Sequence, residues 1–279
     1  MAVLRHYPLL NPLPDISDPN WRLDLAGREW ETYGVGIRAR DSSQKPLLLK
    51  AVRGRLSNLS LFNGKKYAFE FPDIQLVFDE VEKKVILQVA PVILVGRYIK
   101  RSRTLAQTTH YCFDCKGIGR KNKNVCPTCM GQKVLTKESV QDLIAPFFKK
   151  HFGCEEVLFH GAGREDVDVR MLGNGRPFAL TLENPLKRVV NMLELEQEIN
   201  SALKDKVQLV RLEIGFPPDV ERITRAYHTK RYRLLLESPT KVDGTKLGPF
   251  IQQKMDVVQT TPTRVEKRRA MKERPHWIV

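Results

Sequence analysis

The feature that most limits this chain is a pair of Cys-x-x-Cys steps, Cys112/Cys115 and Cys126/Cys129, with ten residues between them. Each step sets two sulfurs on one tight turn, and two such turns can close a tetrahedron around a single Zn2+. Gly117 and Gly131 follow the two steps and Pro127 lies inside the second, as expected where backbone amides must approach sulfur closely. A redox dithiol or an iron centre is the alternative use of the same thiols. Four thiolates leave no open coordination position, so the expected metal is a structural staple and not a catalytic ion. Cys154 is left over from an odd count of five, which in a reducing compartment favours metal over disulfides.

Lys116, Arg120, Lys121, Lys123 and Lys133 surround the thiols; they offset the negative charge of a four-thiolate site, and RNA contact is a second use for them. The whole chain leans the same way, with 47 Lys and Arg against 32 Asp and Glu in 279 residues, a net charge of +15. Such an excess favours a polyanionic partner, while solubility and an anionic membrane surface account for it equally well. No run approaches the roughly 18 apolar residues of a membrane span; the longest apolar stretch, 85–95, reads as a strand. Residues 1–10 lack the apolar core of a secretory signal, so the expected compartment is the cytoplasm.

The length suits two small domains with an insert between them. Residues 30–37 and 67–71 read as strands joined by a basic polar linker, and 74–78 and 84–89 as a hairpin. An α+β module is therefore expected over 1–100. Residues 101–133 carry seven basic residues, one acid and little apolar periodicity, which marks 101–135 as the cysteine-bearing insert. Over 136–279 the pattern predicts a helix from Thr136 or Ser139, shortened or kinked at Pro146, and a strand at 156–160. It then predicts a strand at 177–183, a helix starting at Asn184-Pro185, and strands at 207–216 and 230–237. The basic stretch 264–274 reads as a docking arm or a severed piece of sheet.

The densest polar constellation is Gly161-Ala-Gly-Arg-Glu-Asp-Val-Asp-Val-Arg170, in which three acids and two arginines occupy seven residues. It lacks the Gly-Lys-Ser/Thr ending of a phosphate loop. Arg164 is placed to hold a phosphodiester with Asp166 beside the sugar. The Val167-Asp168-Val169 alternation reads as a strand with Asp166 at its mouth. From chemistry alone Asp166 is a nucleophile, a general base, a metal ligand or a salt-bridged surface residue.

Residues 160–178, His-Gly-Ala-Gly-Arg-Glu-Asp-Val-Asp-Val-Arg-Met-Leu-Gly-Asn-Gly-Arg-Pro-Phe, closely resemble the signature of the archaeal tRNA pseudouridine-54/55 synthases. The likeness extends to 96–108, 138–144, 230–233 and 259–270, and so to most of the chain after about Trp30. It implies a THUMP-like RNA-binding module at the N-terminal end and a pseudouridine synthase domain with a mixed or antiparallel sheet and flanking helices over 136–279. The implied substrate is uridine 54, uridine 55 or both in the T-loop of tRNA, with no organic cofactor. Asp166 falls on the family's catalytic carboxylate, Arg164 on the residue that fills the gap left by the flipped uridine or holds its phosphate, and Tyr232 on the aromatic that stacks on the base. A half-buried strand aromatic is the plainer account of Tyr232.

A base inside a folded tRNA loop must be flipped out before a side chain reaches C1′, which demands a basic grip. Arg222, Arg225, Lys230, Arg231 and Arg233, interleaved with Tyr227, His228 and Tyr232, form a candidate track. Arg170, Arg176, Arg264, Arg268 and Arg269 are further RNA-binding candidates; a solvated strand face explains the same charges. The resemblance also implies strands beyond Val279, one bringing a basic partner for Asp166, and an additional N-terminal cysteine pair. On that basis the chain is expected to be truncated at both ends, with a partner chain supplying strands. A noncatalytic tRNA-binding or folding module, or one part of a split synthase, is the alternative to the enzyme.

Overall fold

Two buried hydrophobic sets that share no residue organise the larger of two compact units, which comprises residues 1–110 and 136–227. The computed structural model describes residues 3–8, 19–251, 253–260 and 273–278. The molecule is α+β, with five helices and several sheets among these residues.

The first set is built on alternating strands. In β4 (Ile74–Asp79) and β5 (Lys84–Val89), Ile74, Leu76, Phe78, Val85, Leu87 and Val89 point inward, the period-2 pattern of a sheet buried on one face. They pair antiparallel, and Lys83 takes a left-handed φ of 52° in the turn between them. β1 (Val3–Pro8) adds antiparallel to β5, while β2 (Thr32–Arg38) and the two-residue β3 (Lys66–Tyr67) extend the other edge in parallel. The order is β1-β5-β4-β2-β3. A parallel step from β2 requires a crossover, and α2 (Lys45–Ser57) supplies it by burying Val52 and Leu56. The sequence read this stretch as a linker. Its lysines, arginines and exposed Leu47 dilute the apolar stripe to two fully buried positions. α1 (Pro19–Ala26), also unforeseen, inserts Trp21 and Leu25 into the same core, where Trp21 and Trp30 meet Phe62 edge to face.

The second sheet is built from β6 (Val92–Lys100), β9 (Glu156–Gly161), β10 (Met171–Glu183) and β11 (Val207–Gly215). It runs β11-β6-β10-β9, antiparallel throughout. β6 therefore belongs here and not to the first module as expected over 1–100; the change of sheet falls at Ala90-Pro91. A proline cannot donate to a ladder, so the chain breaks pairing there and starts again.

α3 (Val140–Phe152) buries Val140, Ile144, Phe148 and Phe152 at four-residue spacing. Ser139 caps it by accepting from the Asp142 amide, and Gly153 ends it at φ 61°. Pro146 neither shortens nor divides it. The proline sits on the exposed face, where water can serve the carbonyl it leaves without a donor. α4 (Met192–Ala202) starts from Asn191, whose side chain accepts from the Leu193 and Glu194 amides, and not from Asn184.

Residues 184–191 instead form a strap between the two sheets. Arg188 reaches Asp73 at 2.9 Å and the Ala90 carbonyl at 2.8 Å, while Glu29 accepts from the Arg188 and Val189 amides. Burial pushes the Asp73 carboxyl up, but the Glu31 and Thr32 amides and Arg188 outweigh it and hold the group below its ordinary value.

α5 (Pro217–Arg225) follows β11. The smaller unit holds 111–135 and 228–279. It contains the hairpin β7 (Arg120–Lys121) and β8 (Asn124–Val125), and the antiparallel pair β12 (Met255–Thr260) and β13 (Glu273–Ile278). The strand expected at 230–237 does not form. Leu234, Leu235 and Leu236 are consecutive and all exposed, so no single face is apolar enough to pair. No helix among the described residues is long and apolar enough to cross a membrane.

Candidate active site and metal centre

Pairing of β9 with β10 stops at Gly161 and Phe178; β10 runs on along β6 to Met171, and residues 162–170 form an open turn that carries the Gly-Arg-Glu-Asp residues. Residues 166–169 are a turn, closed by the Val169 amide on the Asp166 carbonyl at 3.2 Å. The expected alternating strand is therefore absent. A Cβ on Gly161 would lie 2.6 Å from the Gln107 amide nitrogen, so glycine there is a matter of space. Gly163 takes φ +72° and presents its carbonyl to that same Gln107 nitrogen at 3.0 Å.

Beneath the turn lies a buried polar network. Glu165 is 8% exposed and accepts from the Tyr98 hydroxyl at 2.8 and 2.9 Å and from Arg176 Nε at 2.8 Å. Arg176 Nη1 also donates to the Ala162 carbonyl at 2.7 Å, and Gln107 donates to the Tyr98 oxygen at 2.9 Å. Burial, followed by the Glu165 charge, drives the Tyr98 hydroxyl far above its ordinary pKa, so it remains a donor. Lys100, fully buried, donates to the carbonyls of Leu105 at 2.8 Å, Asp166 at 3.0 Å and Val167 at 3.0 Å. Burial lowers its pKa, opposed by Glu165, Asp168 and Asp166 and reinforced by Arg176.

Asp166 is half-buried at the rim of this network, with its main chain held from below. Arg164 is exposed, its Nη1 3.3 Å from His110 Nε2, and Arg170 is exposed on the same turn. Arg176, an RNA-binding candidate in the sequence, is buried. Its guanidinium is spent on Glu165 and Ala162, because a cation between two strands must be paired to be buried. Arg222 and Arg225 lie in the last turn of α5, ion-paired with Asp219 and Glu221 at 2.8 and 2.5 Å. Tyr232, Lys230, Arg231 and Arg233 are exposed in the smaller unit, on chain without helix or strand. Arg264, Arg268 and Arg269 lie outside the described residues.

Residue-by-residue reading missed Glu165, Tyr98, Lys100 and Gln107. Their one signal was position. Tyr98, Lys100 and Gln107 fall in 96–108 and Glu165 in 160–178, two stretches that the resemblance already joined.

The four paired cysteines are all buried, and their sulfurs lie within 4.8 Å of one another. Cys112 and Cys126 approach to 3.8 Å and Cys115 and Cys129 to 3.7 Å. A tetrahedron with metal–sulfur bonds of about 2.3 Å has edges of about 3.8 Å, so the donor set fits such a metal. The two turns repeat each other at fourteen residues. Lys116 and Met130 take φ 52° and 49°, Gly117 and Gly131 both +82°, and Ile118 and Gln132 donate to the Cys115 and Cys129 carbonyls. The Gly119 amide donates to the Cys115 sulfur at 3.2 Å. Burial raises the Cys115 thiol, yet the Gly119 bond and the neighbouring thiols bring it down to about 7. This buried four-cysteine group can hold a metal ion.

Residues 93–279 match the family model "Pus10, C-terminal", and the chain belongs to this family. The match begins one residue into β6, at the start of the second sheet. Among curated proteins the chain is similar to the tRNA pseudouridine synthase Pus10 of Methanopyrus kandleri, 41% identical over 73% of this chain and 47% of that protein. It is also similar to the tRNA pseudouridine synthases Pus10 of Halorubrum lacusprofundi (36%, over 87% and 61%) and Archaeoglobus fulgidus (37%, over 87% and 69%). The chain thus spans about half to two thirds of the length of these relatives.

Proposed function

We propose that this chain acts as a tRNA pseudouridine synthase, isomerising uridine 54, uridine 55 or both in the T-loop with Asp166 as the catalytic carboxylate. The observation that carries the reading is the Asp166 turn itself: a half-buried carboxylate on a main chain tied to a buried ammonium, inside the stretch the family model matches. The reaction exchanges an N1–C1′ bond for a C5–C1′ bond and moves one proton from C5 to N1, so its atoms balance with no external reagent. The turn suits the step that needs a carboxylate at the sugar, by attack at C1′ or by removal of a sugar proton.

The exposed Arg164 and Arg170 are the proposed grip on the flipped nucleotide's backbone, with Arg222, Arg225, Lys230, Arg231 and Arg233 as further phosphate contacts. Arg264, Arg268 and Arg269 extend the set, and the exposed Tyr232 supplies the ring proposed to stack on the base. The sheet β1-β5-β4-β2-β3, within the 1–100 expected for it, is read as a THUMP-like RNA-binding module. Zn2+ is the proposed metal at Cys112, Cys115, Cys126 and Cys129, where it would brace the insert without entering the chemistry.

The test is an unmodified tRNA transcript incubated with metal-loaded protein and mapped by carbodiimide-dependent primer-extension stops. Stops at 54, 55 or both are expected. Tight, salt-sensitive binding with no stop anywhere overturns the synthase reading and leaves a noncatalytic tRNA-binding module.

A further inference from the structure

Lys100 stands at the end of β6 with 0% of its surface exposed, and its ammonium has three N–H groups and three carbonyl acceptors. Two of those carbonyls belong to Asp166 and Val167, on the turn; the third is that of Leu105. Leu105 lies two residues before Gln107, which braces Gly163 at the turn's other end. One side chain therefore ties a central strand to both loops that shape the site. Its counter-charge is equally fixed: Glu165 Oε1 lies 3.9 Å away, locked by Tyr98 and Arg176. A neutral amine has only two N–H groups, so it cannot serve all three carbonyls.

We propose that Lys100 is a positioning residue for the Asp166 carboxylate, acting through the Asp166 and Val167 carbonyls with Glu165 as its fixed counter-charge. This rests on the reading of Asp166 as the catalytic group. Lys100 touches no reacting atom; it sets where the carboxylate stands relative to the sugar, and a misplacement of about 1 Å costs on the order of 100-fold in rate. The charged and titratable groups facing it are Glu165, Asp166 and Asp168 from the turn, Arg176 from β10 and Tyr98 on its own strand, while Arg103 holds the Asp168 carbonyl at 2.8 Å. Glu165 is the largest of the influences that keep the ammonium charged.

The experiment uses the full metal-loaded chain with Lys100→Met and Glu165→Gln. It reads single-turnover tritium release from 5-[3H]uridine tRNA, tRNA binding, and hydrogen exchange of the 164–170 amides. For Lys100→Met the expected result is about 100-fold slower turnover, unchanged binding, and faster exchange at 166–169 while α3 stays protected. For Glu165→Gln the alkaline limb of the turnover rate moves to lower pH, because the ammonium loses its counter-charge; a merely structural bond would lower stability and leave that limb in place. Wild-type turnover in Lys100→Met overturns the inference. If Lys100→Met does not fold, an unmoved limb in Glu165→Gln overturns it instead. If the wild type forms no pseudouridine, the functional reading has failed, and hydrogen exchange alone still decides whether Lys100 holds the turn.

Discussion

The Asp166 turn and the cysteine insert are both loops that bury few apolar side chains, and they are fixed in opposite ways. The turn is held by charged and neutral polar side chains gathered from four places in the chain, Tyr98 and Lys100 on β6, Gln107, Arg176 on β10, and Glu165 on the turn itself. The insert is held by four sulfurs within one 25-residue stretch (111–135), and its own buried cluster consists of nothing but cysteines. The first draws its order from strands of the surrounding sheet, and the second, on the reading proposed above, from a metal that joins its four donors. Order at a loop can be borrowed from a fold or supplied by an ion, and the two leave different weaknesses.

The largest expected effect follows from the insert's lack of any other core. Structural zinc sites contribute about 10–16 kcal/mol of binding free energy in small peptides, so metal removal, or Cys126→Ser, is expected to unfold 111–135. Elemental analysis should find one metal per chain. After chelation a protease should cut within 111–135 while β9 and β10 keep their hydrogen-exchange protection; a chelated chain that resists cutting there breaks the comparison.

The turn should fail differently. Glu165→Ala leaves Lys100 and Arg176 as buried cations without their carboxylate, a loss of about 3–5 kcal/mol, read as a lower unfolding midpoint in denaturant with the metal still bound. A smaller strain is expected from Gly161→Ala, whose new methyl would meet the Gln107 amide and the Gly163 carbonyl. Overpacking of this kind costs about 1–3 kcal/mol. Equal stability in either variant would mean that the turn does not depend on this network.

The smallest effect concerns a charge at the strap between the two sheets. Asp73 has its folded pKa held below the ordinary value, so its contribution is complete above about pH 4 and is lost as pH falls through the folded value. Wild-type thermal stability should fall more steeply below about pH 4 than that of Asp73→Asn. Parallel curves would show that Arg188 does not depend on that carboxylate.

What was legible in the sequence follows from the same contrast. The insert is local: its two Cys-x-x-Cys steps and following glycines repeat at fourteen residues, so spacing alone exposed the cluster. The α3 cap, read as Thr136 or Ser139, and the β4–β5 hairpin are local as well, and both could be read directly. The network beneath Asp166 is not local. No rule of periodicity connects Lys100 with a carbonyl 66 residues away, and Arg176 looked like a surface cation until its buried partner was visible. The helix α2 was hidden because its basic face outweighs its two buried residues. Asn184-Pro185 carries a helix-starting signal that tertiary contacts override, since Arg28 takes the Pro185 carbonyl at 3.0 Å and Arg188 is drawn to Asp73.

The central claim is that the Asp166 carboxylate performs the isomerisation, and the most direct measurement is single-turnover tritium release from 5-[3H]uridine-labelled tRNA by the metal-loaded chain beside its Asp166→Asn variant. The substitution keeps the main-chain carbonyl on which Lys100 acts and the side chain's size, and replaces the charged carboxylate by a neutral amide. The account predicts release by the wild type and none by the variant, with equal tRNA binding. Equal rates of release from both would contradict it.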